Sequence, residues 1–176
     1  MYYIFYSIYS FFRYDAPRFL MNIWKFKKAL YHHYSFDYQG IFYFLEIGIK
    51  DYVDSNEKYG FEILTSRMKK IEKMRRASQI LHNHNADRYL EMAEKELGKI
   101  PENLILNIYQ KRIRRENRTQ EEADHIKAVY KRTQRIEKEE WDELMLILKG
   151  QDYSTFDPAK DFYEQYDGTG LKTWWD

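Results

Sequence analysis

The sequence predicts a mainly α protein, a compact bundle of five or six helices with an extended, aromatic C-terminal tail packed on it. Three observations carry this. Apolar residues recur three and four apart through several long stretches. Chain-breakers are scarce, with 7 Gly and 3 Pro in 176 residues. Thr119 and Glu122 form a capping box in front of the longest periodic stretch. A composition 44% hydrophobic and 18% aromatic supports a true core. We expect an N-terminal extension over 1–20, a helical domain over 21–150 and an acidic, aromatic tail over 151–176.

The opening "MYYIFYSIYSFFRY" has no basic leader and no small-residue cleavage site, and its apolar run stops near 12 residues, where a membrane span needs about 20. It reads as a tyrosine-rich strand or helix that packs on the body. Met21 is a second candidate start. Arg18 to His33 reads as an amphipathic helix with Phe19, Ile23, Phe26 and Leu30 on one face. Asp37 to Tyr59 follows, with Ile41, Leu45, Ile49 and Tyr52 as its stripe and Gly60 as its cap. The run "GIFYFLEIGI" also fits a buried strand. Leu64, Met68, Ile71, Met74, Ala77 and Leu81 line the next helix, whose remaining surface is basic. Ala86 to Leu97 is a short helix between Asn85 and Gly98. "NLILNIYQKRIRREN" is apolar then basic, as helix or as strand plus arm. The capped helix runs to Lys149, where Gly150 stops it. Its stripe is Ala123, Ile126, Val129, Ile136, Trp141, Leu144 and Leu148. The last 26 residues show no helical period beyond a turn near Asp161.

Net charge is +1, with +6 over residues 61–118 and −4 over 150–176. A basic middle and an acidic tail are expected to dock on each other. The absence of cysteine excludes disulfides, thiolate catalysis and the common zinc frameworks, and suits a reducing cytosol.

Four constellations bear on function. "DGTGLKT" has the glycines of a phosphate loop, but Leu171 separates Gly170 from Lys172 and no helix follows, so it reads as a hinge. His82, His84 and Asp87 are weak metal-ligand candidates at spacings that share no helical face. Their plainer role is to satisfy open backbone groups at a helix junction. Asp51 with Asp54, and Glu91 with Glu94, each place two acids on one helix face. Were the helices to face each other, they would hold Mg²⁺ as in all-α nucleotide pyrophosphohydrolases, although the Glu-rich E-E-x-x-E pattern of those enzymes is missing. A solvated face is the plainer alternative. "YQKRIRRENR" carries five basic residues in ten, which suits phosphate contacts. The near-neutral total disfavours a nucleic-acid binder.

The stretches "WKFKKALYHHYSFDY", "SRMKKIEKMRRASQILHN" with "YLEMAEKELG", and "WDELMLILKGQ" with "DGTGLKTWWD" together resemble a group of small proteins encoded by tailed bacteriophages. The resemblance covers about residues 22–176 and leaves 1–20 unmatched. That group has no established activity, so the resemblance implies context alone: an accessory, host-takeover or anti-defence factor in the host bacterial cytoplasm.

The expectation is a non-catalytic protein without cofactor, and not a membrane protein, that binds a host protein, a copy of itself or a small anionic ligand. The binding residues expected are Trp174, Trp175, Asp176, Lys172, Arg75, Arg76, Arg114 and Arg115. The tryptophans would act as anchors, in the protein's own groove or a partner's, and the terminal carboxylates would meet the arginines. A Mg-dependent nucleotide hydrolase using the four carboxylates and a minor virion structural protein are the alternatives.

Overall fold

The computed structural model describes residues 2–33, 39–60, 64–101 and 119–175, and among these it contains helices and no strand. The elements are α1 (Tyr2–Ser10), a π-helical turn (Phe11–Asp15), α2 (Ala16–Tyr31), α3 (Gln39–Tyr59), α4 (Leu64–Asn85), α5 (Tyr89–Leu97), α6 (Gln120–Lys149) and the single turn α7 (Phe162–Gln165). The segment "NLILNIYQKRIRREN" lies outside the described residues.

The first three elements form one continuous helix. Pro17 explains its π turn: proline has no N–H to bond four residues back, and its ring crowds that carbonyl. The wider turn ahead of it is closed instead by the Ala16 N–H on the Phe11 carbonyl. The strand alternative for the N-terminal stretch falls away, and from Tyr6 onward so does its packing on the body. Residues 11–15 and 17–25 are all exposed. The face expected to be buried in α2 is outside as well, with Phe19, Ile23 and Leu30 exposed and Phe26 half-buried. Among the described side chains the helix docks through its C-terminal end. There Ala29 is buried, Phe26 stacks on Phe44 at 5.6 Å, His32 stacks on Tyr43 at 5.0 Å, and Lys25 bonds Asp51 at 2.5 Å. Gly40 permits this approach, since a Cβ there would lie 2.8 Å from the His33 Cα.

Helices α3, α4 and α6 build the main core from Ile49, Val53, Ile71, Met74, Ala77, Ile80, Leu81, Leu144 and Ile147, joined by Trp174 from the tail. A second core lies between α5 and α6, from Tyr89, Ala93, Ile100, Val129 and Ile136. The run "GIFYFLEIGI" is helical; Tyr43 donates to the Asn85 carbonyl at the end of α4, and Ile49 enters the core shared with α4 and α6. The stripe expected on α4 buries Ile71, Met74, Ala77 and Leu81, but Leu64 and Met68 remain exposed at its start. The capping box is formed: Glu122 N–H donates to Thr119 Oγ1 at 3.2 Å, and Thr119 N–H donates to Glu122 Oε2 at 2.9 Å. Asn85 is the last residue of α4 rather than a cap of α5; Asp87, at φ +52°, makes the turn between them.

The tail folds back on its own body. Gly170 N–H donates to the Ile147 carbonyl at 2.8 Å, tying it to the end of α6. Gly168, at φ +89°, lies against the backbone of Lys69 and Lys70, where a Cβ would run into the Lys69 carbonyl. Beyond this hinge Trp174 is fully buried, its indole N–H donates to the Gly168 carbonyl at 2.9 Å, and its own carbonyl accepts from Tyr52. Tyr153, Phe156, Phe162 and Tyr166 form an aromatic cluster along the tail.

Charge pairing is not what holds the tail to the basic segment among the described residues. Lys69 Nζ donates to three backbone carbonyls, of Tyr163 at 3.0 Å, Glu164 at 3.5 Å and Tyr166 at 2.8 Å, and so caps α7. The tail acids spend their oxygens locally: Asp152, Asp157, Asp161 and Asp167 accept from the N–H groups of Ser154, Ala159, Tyr163 and Thr169.

Two variants test this arrangement. Trp174→Ala empties a core site and is expected to cost about 3–5 kcal/mol in a urea melt. Gly168→Ala, where a Cβ has neither space nor a favourable φ, should lower the same midpoint without removing an apolar contact.

Candidate functional site

The predicted site residues do not converge on one place. Asp51 is held by Lys25, whereas Asp54 lines a groove of about 470 Å³ between α3 and α4. Glu91 pairs with Lys95 on the surface at 2.8 Å, and Glu94 Oε1 accepts the Ile100 N–H at 3.1 Å. One carboxylate pair therefore belongs to the α3–α4 layer and the other to α5, which packs on α6. The four acids envisaged around Mg²⁺ are not brought together. Among the described residues no group of three His, Asp or Glu side chains is placed to hold a metal.

The two histidines diverge as their spacing implies. His82 Nδ1 lies 2.9 Å from Glu46 Oε1 on α3, and the same carboxylate accepts from Asn85 Nδ2 at 2.6 Å. His84 turns to the other side, edge-on to Trp141 at 5.0 Å and to Phe42 at 5.3 Å, with Glu137 at 3.9 Å. Asp87 is in the exposed turn. The polar run "HNHN" thus forms a helix junction joining α4 to α3 and α6, but through carboxylates and aromatic rings rather than by satisfying open backbone groups.

The arginines are also committed. Arg75 bonds Glu57, and Arg76 reaches α6, donating from Nε to Glu143 Oε1 at 2.9 Å and from Nη2 to Glu143 Oε2 at 2.5 Å. Arg76 lies 3.2 Å from the buried Glu140, which also accepts from Asn83 Nδ2 at 3.0 Å. The bidentate bond to Glu143 raises the Arg76 guanidinium above its ordinary range. The same bond holds the Glu143 carboxyl below its own. Burial, then the negative charges of Glu140 and Glu137, push the Tyr89 hydroxyl upward. The network of Arg76 and Asn83 with Glu143 and Glu140 joins α4 to α6 and is structural in character. Asp176, Arg114 and Arg115 lie outside the described residues, of Trp175 only the backbone is described, and Lys172 is exposed.

The α3–α4 groove holds side chains that sequence reasoning missed: Glu46, Lys50 and Ser78 line it beside the predicted Asp54, Arg75 and His82. Glu46 had a legible signal, as the one acid inside the apolar run "GIFYFLEIGI". Ser78, His82 and Glu46 even follow the order of an acyl-transfer triad. The roles do not follow: no Ser78–His82 hydrogen bond forms among the described residues, and Ser78 sits in mid-helix, where backbone N–H groups are spent within the helix and supply no oxyanion hole. The groove's two cations are matched by two acids, so it does not concentrate anions.

The feature that remains unspent is the N-terminal helix. Eleven large apolar side chains between Tyr6 and Trp24 stay 42–72% exposed: Tyr6, Ile8, Tyr9, Phe11, Phe12, Tyr14, Phe19, Leu20, Met21, Ile23 and Trp24. At about 100 Å² left accessible on each, they present about 1,100 Å², roughly twice the largest apolar patch of an ordinary monomer. The sequence-stretch expectation that this segment packs on the body hid it. No helix among the described residues is long and apolar enough to cross a membrane.

In comparison with known proteins, no family model, curated protein or solved structure matches the chain.

The Arg76–Glu143 pair sets a pH dependence. A carboxyl with a lowered folded pKa contributes stability that is fully present above its ordinary value of 4.5 and is lost as pH falls through the folded value. Thermal melts from pH 7 to pH 3 should therefore show a smaller acid-induced loss in Glu143→Gln than in the wild type.

Proposed function

We propose that this is a non-catalytic binding protein that engages a protein partner, of the host or a second copy of itself, through its N-terminal aromatic helix, in the context of a phage accessory factor in the bacterial cytoplasm. The observation that carries the reading is the exposed apolar helix between Tyr6 and Trp24. Exposed apolar surface on this scale marks interaction sites, and aromatic side chains supply most of the energy at contacts. The tail, expected to serve as an anchor, is the weaker candidate for that role because Trp174 is spent inside the protein's own core. The phage context rests on the resemblance of residues 22–176 alone.

A small anionic ligand fits less well, since Lys50 and Arg75 in the α3–α4 groove are offset by Glu46 and Asp54. A Mg-dependent hydrolase fits less well again, because its carboxylates are on separate layers.

The test compares crosslinking capture from bacterial lysate by the wild type and by Phe12→Glu/Trp24→Glu. Both positions are solvent-exposed, so the melting temperature should be unchanged while specific capture is lost. Equal capture by the two proteins, or turnover of a nucleotide panel with Mg²⁺ or Mn²⁺, would sink the proposal.

A further inference from the structure

Resting on that reading of the N-terminal helix as a docking surface, we infer that its occupant is a second copy of this chain, paired antiparallel about a two-fold axis that passes between Ala16 and Pro17.

The charges in the middle of the arm select this arrangement. Asp15 and Arg18 bond each other at 3.0 Å, so both lie on one side of the helix, and both are largely exposed. In an antiparallel pair, a residue on one flank faces the same flank of the other copy, at the position mirrored through the axis. With the axis between residues 16 and 17, Asp15 of one copy stands beside Arg18 of the second copy, and Arg18 beside its Asp15. Two intrahelical pairs become one ring of four alternating charges. The small residue Ala16 lies at the crossing point. On either side, the run Tyr9–Tyr14 of one copy lies along Phe19–Trp24 of the other.

The size of the surface agrees. A facing helix covers about half of the arm's exposed apolar area, or roughly 550 Å² per copy. Two copies then bury about 1,100 Å², at the lower edge of specific interfaces. The pair is accordingly a reversible dimer rather than an obligate one.

A lipid surface suits the arm less well. The apolar side chains are interrupted by Arg13, Asp15 and Arg18, so a bilayer that took up both halves would also take up ionised groups. An in-plane helix needs a continuous polar face, whereas Tyr6, Ile8, Tyr9, Phe11 and Phe12 distribute apolar surface around α1 and the turn that follows.

The experiment is sedimentation equilibrium of the full chain over a range of concentrations. The wild type should approach twice 21.8 kDa at the upper end. Asp15→Arg and Arg18→Asp, each alone, bring like charges together across the axis and should weaken dimerisation about tenfold or more. The double variant Asp15→Arg/Arg18→Asp should restore it, and circular dichroism should show equal helix content in all four proteins. A chain that stays monomeric throughout overturns the inference, as does a dimer in which the double variant is no tighter than either single one. A monomer that floats with anionic phospholipid vesicles overturns it too, and assigns the arm to a membrane. If the chain is monomeric while Phe12→Glu/Trp24→Glu still abolishes capture from lysate, the pairing fails and the broader binding reading stands.

Discussion

Burial of Trp174 is the constraint on which the rest of this structure depends. Its indole joins the core built by α3, α4 and α6, and it is the largest fully buried side chain among the described residues. A tail of mostly polar residues must then cross the body to deliver it. Each device along that route has one purpose, to place a large apolar group and leave no backbone group unpaired on the way. Gly150 and Gly170 pass close to each other, Gly168 lies on the α4 backbone, Gln151 braces Asp167 and the Gln165 carbonyl, and Lys69 collects three carbonyls at the end of α7.

The same constraint redistributes the charges. Because hydrogen bonds to backbone seat the tail, the acids of residues 152–167 are free to cap their own turns, and the basic residues of α4 pair with other helices. Arg76 ties α4 to α6 through Glu143 and Glu140, and His82 and Asn85 tie it to α3 through Glu46. Arg75 and Arg76, expected to meet the terminal carboxylates or an anionic ligand, pair with Glu57, Glu143 and Glu140. The apolar excess sits elsewhere, on a helix that its own body leaves uncovered and whose mid-point charges are self-complementary.

Legibility followed the range of the interaction. The capping box at Thr119, the stops at Gly98 and Gly150, and the helical stripes of α4 and α6 were all readable, because each depends on residues within four positions of one another. The hinge at Gly168 was readable for the same reason. The ends of stripes were misjudged, as at Phe19, Leu64 and Met68, since periodicity tells which residues share a face but not whether another helix covers it. The site residues fared worse. The sequence could place Asp51 and Asp54 on one helix face, yet Lys25, 26 positions away, claims one of them. Glu46 is half-buried among polar partners 36 and 39 residues away, and no local signal names those partners.

By itself the sequence determined a helical, cysteine-free chain, the main helix ends, and a glycine hinge ahead of two tryptophans, because helix periodicity, capping and φ preference are local properties. Only the tertiary structure decided that Trp174 turns inward, that the carboxylate pairs are parted between layers, and that the aromatic arm from Tyr6 to Trp24 is left in solvent. Burial is a property of what lies across a contact. For an apolar helix, that neighbour is set by the packing of the whole chain and not by the residues of the helix.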